Sequence, residues 1–463
     1  MIVLSCPNCH IELRAGDGIH FACPNAFDNR HHYLEPSASP VLTDPSQLNP
    51  YMRFRKNFFS YHADRDQLWS SDLKNLDAYF MQRFGKPMRI TPLVDATELA
   101  AELNHDAPLW IKDETGQPGG SHKIRHLLGT ALYLKSNPKP AQKQHLAIYS
   151  CGNAARSAAI LAEATGMPLC VYLPESVRPS IVEQLHEYGA QTQICARTPG
   201  IEGDPSYLAF HHALKKGAIP FSCSGPDNWS NLEGGKTLIW ECQEQWGEKP
   251  PEAIYIQVGG GALAASALLA LEDSKMKSRK NSQPRVCVVQ TQSCFPLARI
   301  YLGLLKKLTD KIGLKMSLSG LNPSQILNYL DFYFEEYSKL ASIVSGQFEK
   351  DQVQSVLCES LNQPIWQEPW TSGGKAPASL AYGILDDVTY DWYPIIRGLF
   401  ASGGWPVVVN EDELSVANKK ARTLTDIPVD ATGTSGLAGL LHDVSQGRHQ
   451  GSALVFFTGK DEA

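Results

Sequence analysis

Residues 113–128 read DETGQPGGSHKIRHLL, and the fold follows from how that stretch is divided. Just before it, Pro108-Leu109-Trp110-Ile111 is an apolar run of strand length. Gly116-Gln117-Pro118-Gly119-Gly120 is a cluster of breakers and predicts a loop. Ser121 is a good N-cap, and Ile124, Leu127 and Leu128 are spaced for the buried face of a helix. Lys123 then lies in the first turn of that helix, beside a glycine-rich loop. The positive end of a helix dipole disfavours an ammonium there, and a neutral amine is what Schiff-base chemistry requires. A lysine so placed is ordinarily a solvated surface group, so its meaning depends on its company.

Downstream, strands and helices alternate. Leu146 to Tyr149, Leu169 to Leu173, Ala253 to Val258, Val286 to Gln290 and Pro406 to Val409 read as buried strands, with helical stretches such as 181–188 and 411–424 between them. Such alternation predicts a parallel sheet covered on both faces, with sites at the carboxyl ends of strands. Ser150-Cys151-Gly152-Asn153 and Gly259-Gly260-Gly261-Ala262-Leu263 both fall there. Glycines let backbone approach an anion closely, and a helix start points bare amides at it. The second loop is neither a P-loop nor a GxGxxG fingerprint.

Residues 37–90 begin with a proline-rich linker and continue as an aromatic helical region for packing or subunit contact, with Phe54, Phe58, Phe59, Trp69 and Phe80. Between about 297 and 367 lies a helical insert. Asn322-Pro323-Ser324-Gln325 starts a helix. Ile326, Leu330, Phe334, Tyr337 and Ala341 then predict one long helix with a single apolar face.

The net charge of −6 offers no footprint for nucleic acid or an anionic membrane. No apolar run reaches the ~20 residues of a membrane span, and the start lacks a signal-peptide pattern. Eleven cysteines scattered over 463 residues do not form a disulfide framework, so a cytoplasmic protein is expected. At the N-terminus, Cys6 and Cys9 form one metal knuckle and Cys23 half of a second, since position 26 is Ala. His31 or His32 would complete a three-cysteine, one-histidine set of the kind tetrahedral zinc accepts; the alternative is a metal-free ribbon kept for packing.

Residues 116–125, GQPGGSHKIR, resemble the lysine motif of fold-type II pyridoxal-phosphate (PLP) enzymes: threonine synthase, threonine and serine dehydratases, cysteine synthase and the tryptophan synthase β-subunit. His122 before the lysine is similar to the tryptophan synthase β pattern. SCGNAARSA, from Ser150, resembles the family's asparagine loop. That resemblance implies that Asn153 bonds the cofactor's 3-oxygen. It also implies that the Ser150 hydroxyl and the amides of Cys151, Gly152, Asn153 and Ala154 hold a substrate carboxylate. Ala154 stands where relatives often have Thr or His, which points to a less polar or larger substrate than threonine synthase takes, with His122 or the Thr371 loop supplying replacement contacts. The 259–263 loop resembles the dehydratases' phosphate loop. DATGTSGLAG, 430–439, resembles the closing motif, which assigns Thr432 to the pyridine nitrogen, with Thr434 or Ser435 as fallback. A hydroxyl partner leaves that nitrogen largely unprotonated, which suits elimination over transamination. Ile90 to Leu93 and Asn228 to Thr237 resemble the core's opening and a family helix entry. The cysteine-rich start resembles the zinc-ribbon-like segment of several threonine synthases.

The resemblance implies an α/β fold of two parallel-sheet domains with PLP between them. The expected divisions are a zinc-ribbon-like segment (1–36), a linker and packing region (37–90), a large PLP domain (91–145 and 236–463) and a small one (146–235). The implied function is elimination or β/γ-replacement on a small amino acid by a threonine synthase- or dehydratase-like homodimer. Lys123 would form the Schiff base and act as base. Two other classes remain open at this stage: a PLP-binding regulator acting through its insert, and a nucleotide-binding protein using the glycine loop.

Overall fold

A computed structural model describes residues 2–26, 30–64, 67–136, 144–198, 201, 203–275, 283–320, 322–364 and 377–460. Its thirteen strands among these residues form three sheets. β1 (Leu4–Ser5), β2 (Glu12–Leu13) and β3 (Glu35–Pro36) make a small antiparallel sheet at the N-terminus. The large sheet contains β4 (Leu93–Asp95), β5 (Leu109–Asp113), β10 (Ala253–Gln257), β11 (Arg285–Thr291), β12 (Pro406–Val409) and β13 (Ala453–Phe457). Its order is β12-β11-β10-β13-β5-β4, parallel except for β4 against β5. The remaining four strands are β6 (Leu146–Tyr149), β7 (Leu169–Pro174), β8 (Gln191–Cys195) and β9 (Ile219–Pro220). They form a parallel sheet in the order β8-β7-β6-β9.

Runs of Val, Ile and Leu make the large sheet because helices cover both faces, leaving no solvent side to ask for polar alternation. β10, β12 and β13 are buried along their whole lengths. The lysine helix, Lys123–Lys135, is itself buried from Ile124 to Leu134. It packs on the Ser230–Trp246 helix at a crossing that only glycine permits. A Cβ on Gly129 would stand 2.7 Å from the Cα of Gly234. Under this crossing runs a fully buried charge network. Arg125 bonds Glu114 and Glu241 at 2.6 Å each, and Lys112 bonds Glu241 at 2.7 Å. Thr91, from the segment that resembles the core's opening, donates to Glu114 at 2.6 Å.

The aromatic region packs as expected. Phe54, Phe58 and Trp69 are buried, and Phe58 meets Trp240 edge-on with centroids 5.9 Å apart. The insert is helical, and Asn322 and Gln325 form a reciprocal capping box. The single long helix expected over its apolar stripe is instead two, Pro323–Phe332 and Phe334–Gly346. The chain breaks at Tyr333, with φ −117° and ψ 28°, while the apolar spacing carries on in phase across the break.

Candidate active site

Three loops converge at the carboxyl ends of the two parallel sheets. The lysine loop follows β5. Ser121 was expected to cap the lysine helix, but it is extended (φ −156°) and bridged to Gly459, and His122 takes the N-cap position without a side-chain bond. Positive φ at Gly119 and Gly120, 75° each, turns the chain before Ser121 and lays that residue alongside the segment after β13. The Ser121 hydroxyl is buried with no hydrogen-bond partner among the described residues. Lys123 opens the helix and is half-buried.

The asparagine loop follows β6. Ser150 Oγ accepts from the Gly152 amide at 3.3 Å, Cys151 is exposed, and Asn153 begins the Asn153–Thr165 helix. Ala154 is buried in that helix rather than presented by the loop. The glycine loop follows β10. Gly261 has φ 109°, and Ala262 and Leu263 are buried at the start of the Ala262–Lys275 helix.

What ties the lysine and asparagine loops together is Thr458–Lys460, just past β13, which the sequence did not single out. The Thr458 carbonyl accepts from the His122 amide at 2.9 Å, and the Gly120 carbonyl accepts from Lys460 at 3.2 Å. Asn153 Nδ2 lies only 2.8 Å from where a Cβ on Gly459 would be. Gly459 is therefore a contact point of the lysine and asparagine loops, and any side chain there would push them apart. His122, considered above as a substrate contact, is turned inward: its Nδ1 is 3.1 Å from the Thr458 carbonyl and its ring packs edge-on against His126.

Of the three candidate hydroxyls in the closing loop, Thr434 and Ser435 bond back to carbonyls of their own turn. Thr432 Oγ1 accepts from the Gly383 amide at 3.1 Å, which leaves its hydrogen to donate. The Thr371 to Pro377 loop, apart from Pro377, lies outside the described residues.

The segment 383–391 forms the remaining wall and was also missed. A Cβ on Gly259 would stand 2.3 Å from Asp386 Oδ2, and one on Gly260 would stand 3.7 Å from it. Asp386 keeps some solvent contact, yet burial and the neighbouring Asp387 push its carboxyl up to about 7, against the pull of Lys123. Asp391 is buried. It accepts from the Gly225 amide at 2.8 Å, and its own amide donates to the Gly260 carbonyl at 2.9 Å. Burial pushes Asp391 up to about 8, although that amide bond and Lys123 pull the other way. A doublet of aspartates in a loop reads from sequence as a solvated pair, so nothing marked this one.

These residues fit a phosphate-bearing cofactor that reacts with an amine. The glycine loop leaves no space for side chains and lies against the Asp386 carboxyl. Lys123 lies close enough to feel Asp386, Asp391 and Cys223.

At the N-terminus, the ligand atoms of Cys6, Cys9, Cys23 and His32 all lie within 4.8 Å of one another. Such a set could hold a metal ion. His31 points elsewhere, with Nε2 3.0 Å from the Gln363 carbonyl and its ring edge-on to Trp392. No helix of the described residues is long and apolar enough to cross a membrane.

A serine dehydratase-like protein of Rattus norvegicus is 31% identical over 184 residues, 40% of this chain and 52% of that protein, so the match spans about half of the relative's length. An L-threonine ammonia-lyase of Geobacter sulfurreducens is 29% identical over 377 residues, 78% of this chain and 86% of the relative. The structure of maize serine racemase superposes with a TM-score of 0.56 at 17% identity, covering 85% of this chain and 93% of that one, a likeness of fold. The relatives named here include a dehydratase-like protein and an ammonia-lyase, and the likeness to threonine synthase rests on the sequence motifs alone. The family model described as "Pyridoxal-phosphate dependent enzyme" matches residues 86–339, more than half of the chain, and the protein belongs to that family.

Proposed function

We propose that this protein is a PLP-dependent lyase that eliminates a β-substituent from a small amino acid of the serine and threonine class. The observation that carries the reading is the meeting of the lysine and asparagine loops at Thr458 and Gly459, with the glycine loop packed against Asp386, a carboxyl that feels Lys123. In this reading the Gly259–Gly261 amides hold the phosphate, Asn153 meets the cofactor's ring oxygen, and Thr432 donates its free hydrogen to the ring nitrogen. Ser150 and the amides from Cys151 to Ala154 hold the substrate carboxylate. Bound PLP supplies an electron sink for the bonds at Cα. With the cofactor bound, Lys123 would take the Cα proton.

The test is labelling. Protein incubated with PLP should turn yellow, and borohydride should leave a pyridoxyl group on the peptide containing Lys123. Label elsewhere, or no chromophore, would sink the assignment. Ammonia and a keto acid from serine or threonine would then establish elimination, whereas a new amino acid would indicate replacement.

We further propose that Cys6, Cys9, Cys23 and His32 bind one zinc ion that stabilises the N-terminal module. Metal analysis of protein purified without added zinc should give about one atom per chain; a value near zero, with Cys6→Ser harmless to stability, would show a degenerate ribbon. Assembly as a homodimer and a cytoplasmic location belong to the same proposal, and light scattering checks the first.

A further inference from the structure

Elimination of water needs an acid, because hydroxide is a poor leaving group until it receives a proton. The residues assigned above provide a base, an anion cradle and a carboxylate clamp, but no donor for that oxygen. Asp386 is the group the geometry brings to the place. Its Oδ2 would stand 2.3 Å from a Cβ on Gly259 and 3.7 Å from one on Gly260. Lys123 is within its electrostatic reach, as is Cys151 of the asparagine loop. One carboxyl therefore lies against the cofactor cradle and within electrostatic reach of both the base and the asparagine loop.

We propose that Asp386 is a catalytic residue that protonates the departing β-hydroxyl, a role that rests on the lyase reading. As Lys123 takes the Cα proton, the Cα–H electron pair forms the Cα–Cβ double bond. The Cβ–O bond breaks toward oxygen, the oxygen takes the Asp386 proton, and water leaves. Asp386, now a carboxylate, regains its proton from solvent, so the step is redox-neutral and needs no co-reactant.

The surroundings hold that proton where it is needed. Burial, Asp387 and Asp204 raise the carboxyl, while Lys123 and the Gly260 amide lower it. Tyr390, Tyr149 and the Cys151 thiol also lie within its electrostatic reach. An anion bound on the same glycine loop adds a like charge beside it and favours the protonated form further.

The experiment compares L-serine, whose leaving group needs a proton, with β-chloro-L-alanine, whose chloride does not. In Asp386→Asn the serine kcat should fall about 100-fold, the low end for general acid catalysis. Turnover of β-chloro-L-alanine should stay within a few-fold, and PLP affinity, read by absorbance titration, should barely move. Asp386→Glu should recover part of the serine rate and guards against a folding defect in the first variant. Wild-type kcat on serine should decline as pH rises through the carboxyl's range, and β-chloro-L-alanine should show no such limb. Equal loss on both substrates would make Asp386 structural and overturn the proposal. So would an intact serine rate with PLP binding tightened more than tenfold, which would make the carboxyl a mere occupant of the phosphate cradle. Wild-type protein idle on both substrates would sink the lyase reading and this inference together; wild-type protein active only on β-chloro-L-alanine would sink this inference alone.

Discussion

The two parallel sheets carry the site between them, but they are built to different standards. In the large sheet β10, β12 and β13 are buried end to end, and the Ala262–Lys275 helix buries nearly every side chain. In the small sheet β8 is buried only at Cys195, and the Pro179–Glu187 helix buries only Leu185. The glycine loop therefore stands on a stiff wall, and the small sheet is softer at its β8 edge, although β6 and the Asn153–Thr165 helix that carry the asparagine loop are themselves largely buried. Regions with few buried contacts open at lower free energy, so the β8 edge is the part able to adjust while the glycine loop stays fixed.

The largest effect that sharpens this contrast is on Arg125. Replacing it with Ala strands Glu114 and leaves Glu241 with Lys112 as its one counter-charge in the interior of the stiff half, which should cost about 3–5 kcal/mol in urea unfolding. A loss below about 1 kcal/mol would show that the buried network is dispensable and the contrast overdrawn. Leu185→Ala in the soft half should cost about 2 kcal/mol, the low end for a buried leucine, because an open neighbourhood can collapse into the space. If hydrogen exchange in 169–195 is unchanged by that substitution, the small sheet is stiffer than its burial indicates.

A pH effect comes next. Burial, then Arg285 and His105, push His449 down to about 4, so the folded state holds it neutral. The unfolded chain takes up that proton from about pH 6.5 downward, so stability present above that value is lost as pH falls toward 4. His449→Gln should flatten this limb by about 1 kcal/mol, discounted for solvent screening. Stability curves of the two proteins that stay parallel from pH 7 to 4 would rule the group out. Smallest of all, Ile194→Ser on exposed β8 should change stability by less than about 0.5 kcal/mol. A larger loss would mean that this face is covered by something in solution.

Much of the frame was legible because it is written in local signals. The buried strands announce themselves as short apolar runs, and the breaker cluster before Lys123 marks the turn that presents it. The misreadings have a common physical origin in backbone that answers to distant partners. Ser121 has the chemistry of a cap, yet its extended conformation is set by pairing with Gly459. Thr458 and Gly459 serve through a carbonyl and the lack of a side chain, which no residue type advertises. Asp386 acquires its character only from the glycine loop folded against it. The break at Tyr333 is silent because the apolar stripe runs through it without changing phase.

The place of β13 has a consequence for how the chain is made. This strand, the last in the sequence at Ala453–Phe457, sits between β10 and β5 in the middle of the large sheet. Ribosomes add about 5–20 residues per second. For tens of seconds, then, β5 and β10 exist with their shared neighbour unsynthesised, their edges open to other chains. The four-stranded sheet, complete by Pro220, can close long before that. A nascent chain is therefore a finished small sheet attached to an unfinished large one, and truncation near the C-terminus removes the seam of the sheet as well as the loop that joins the site.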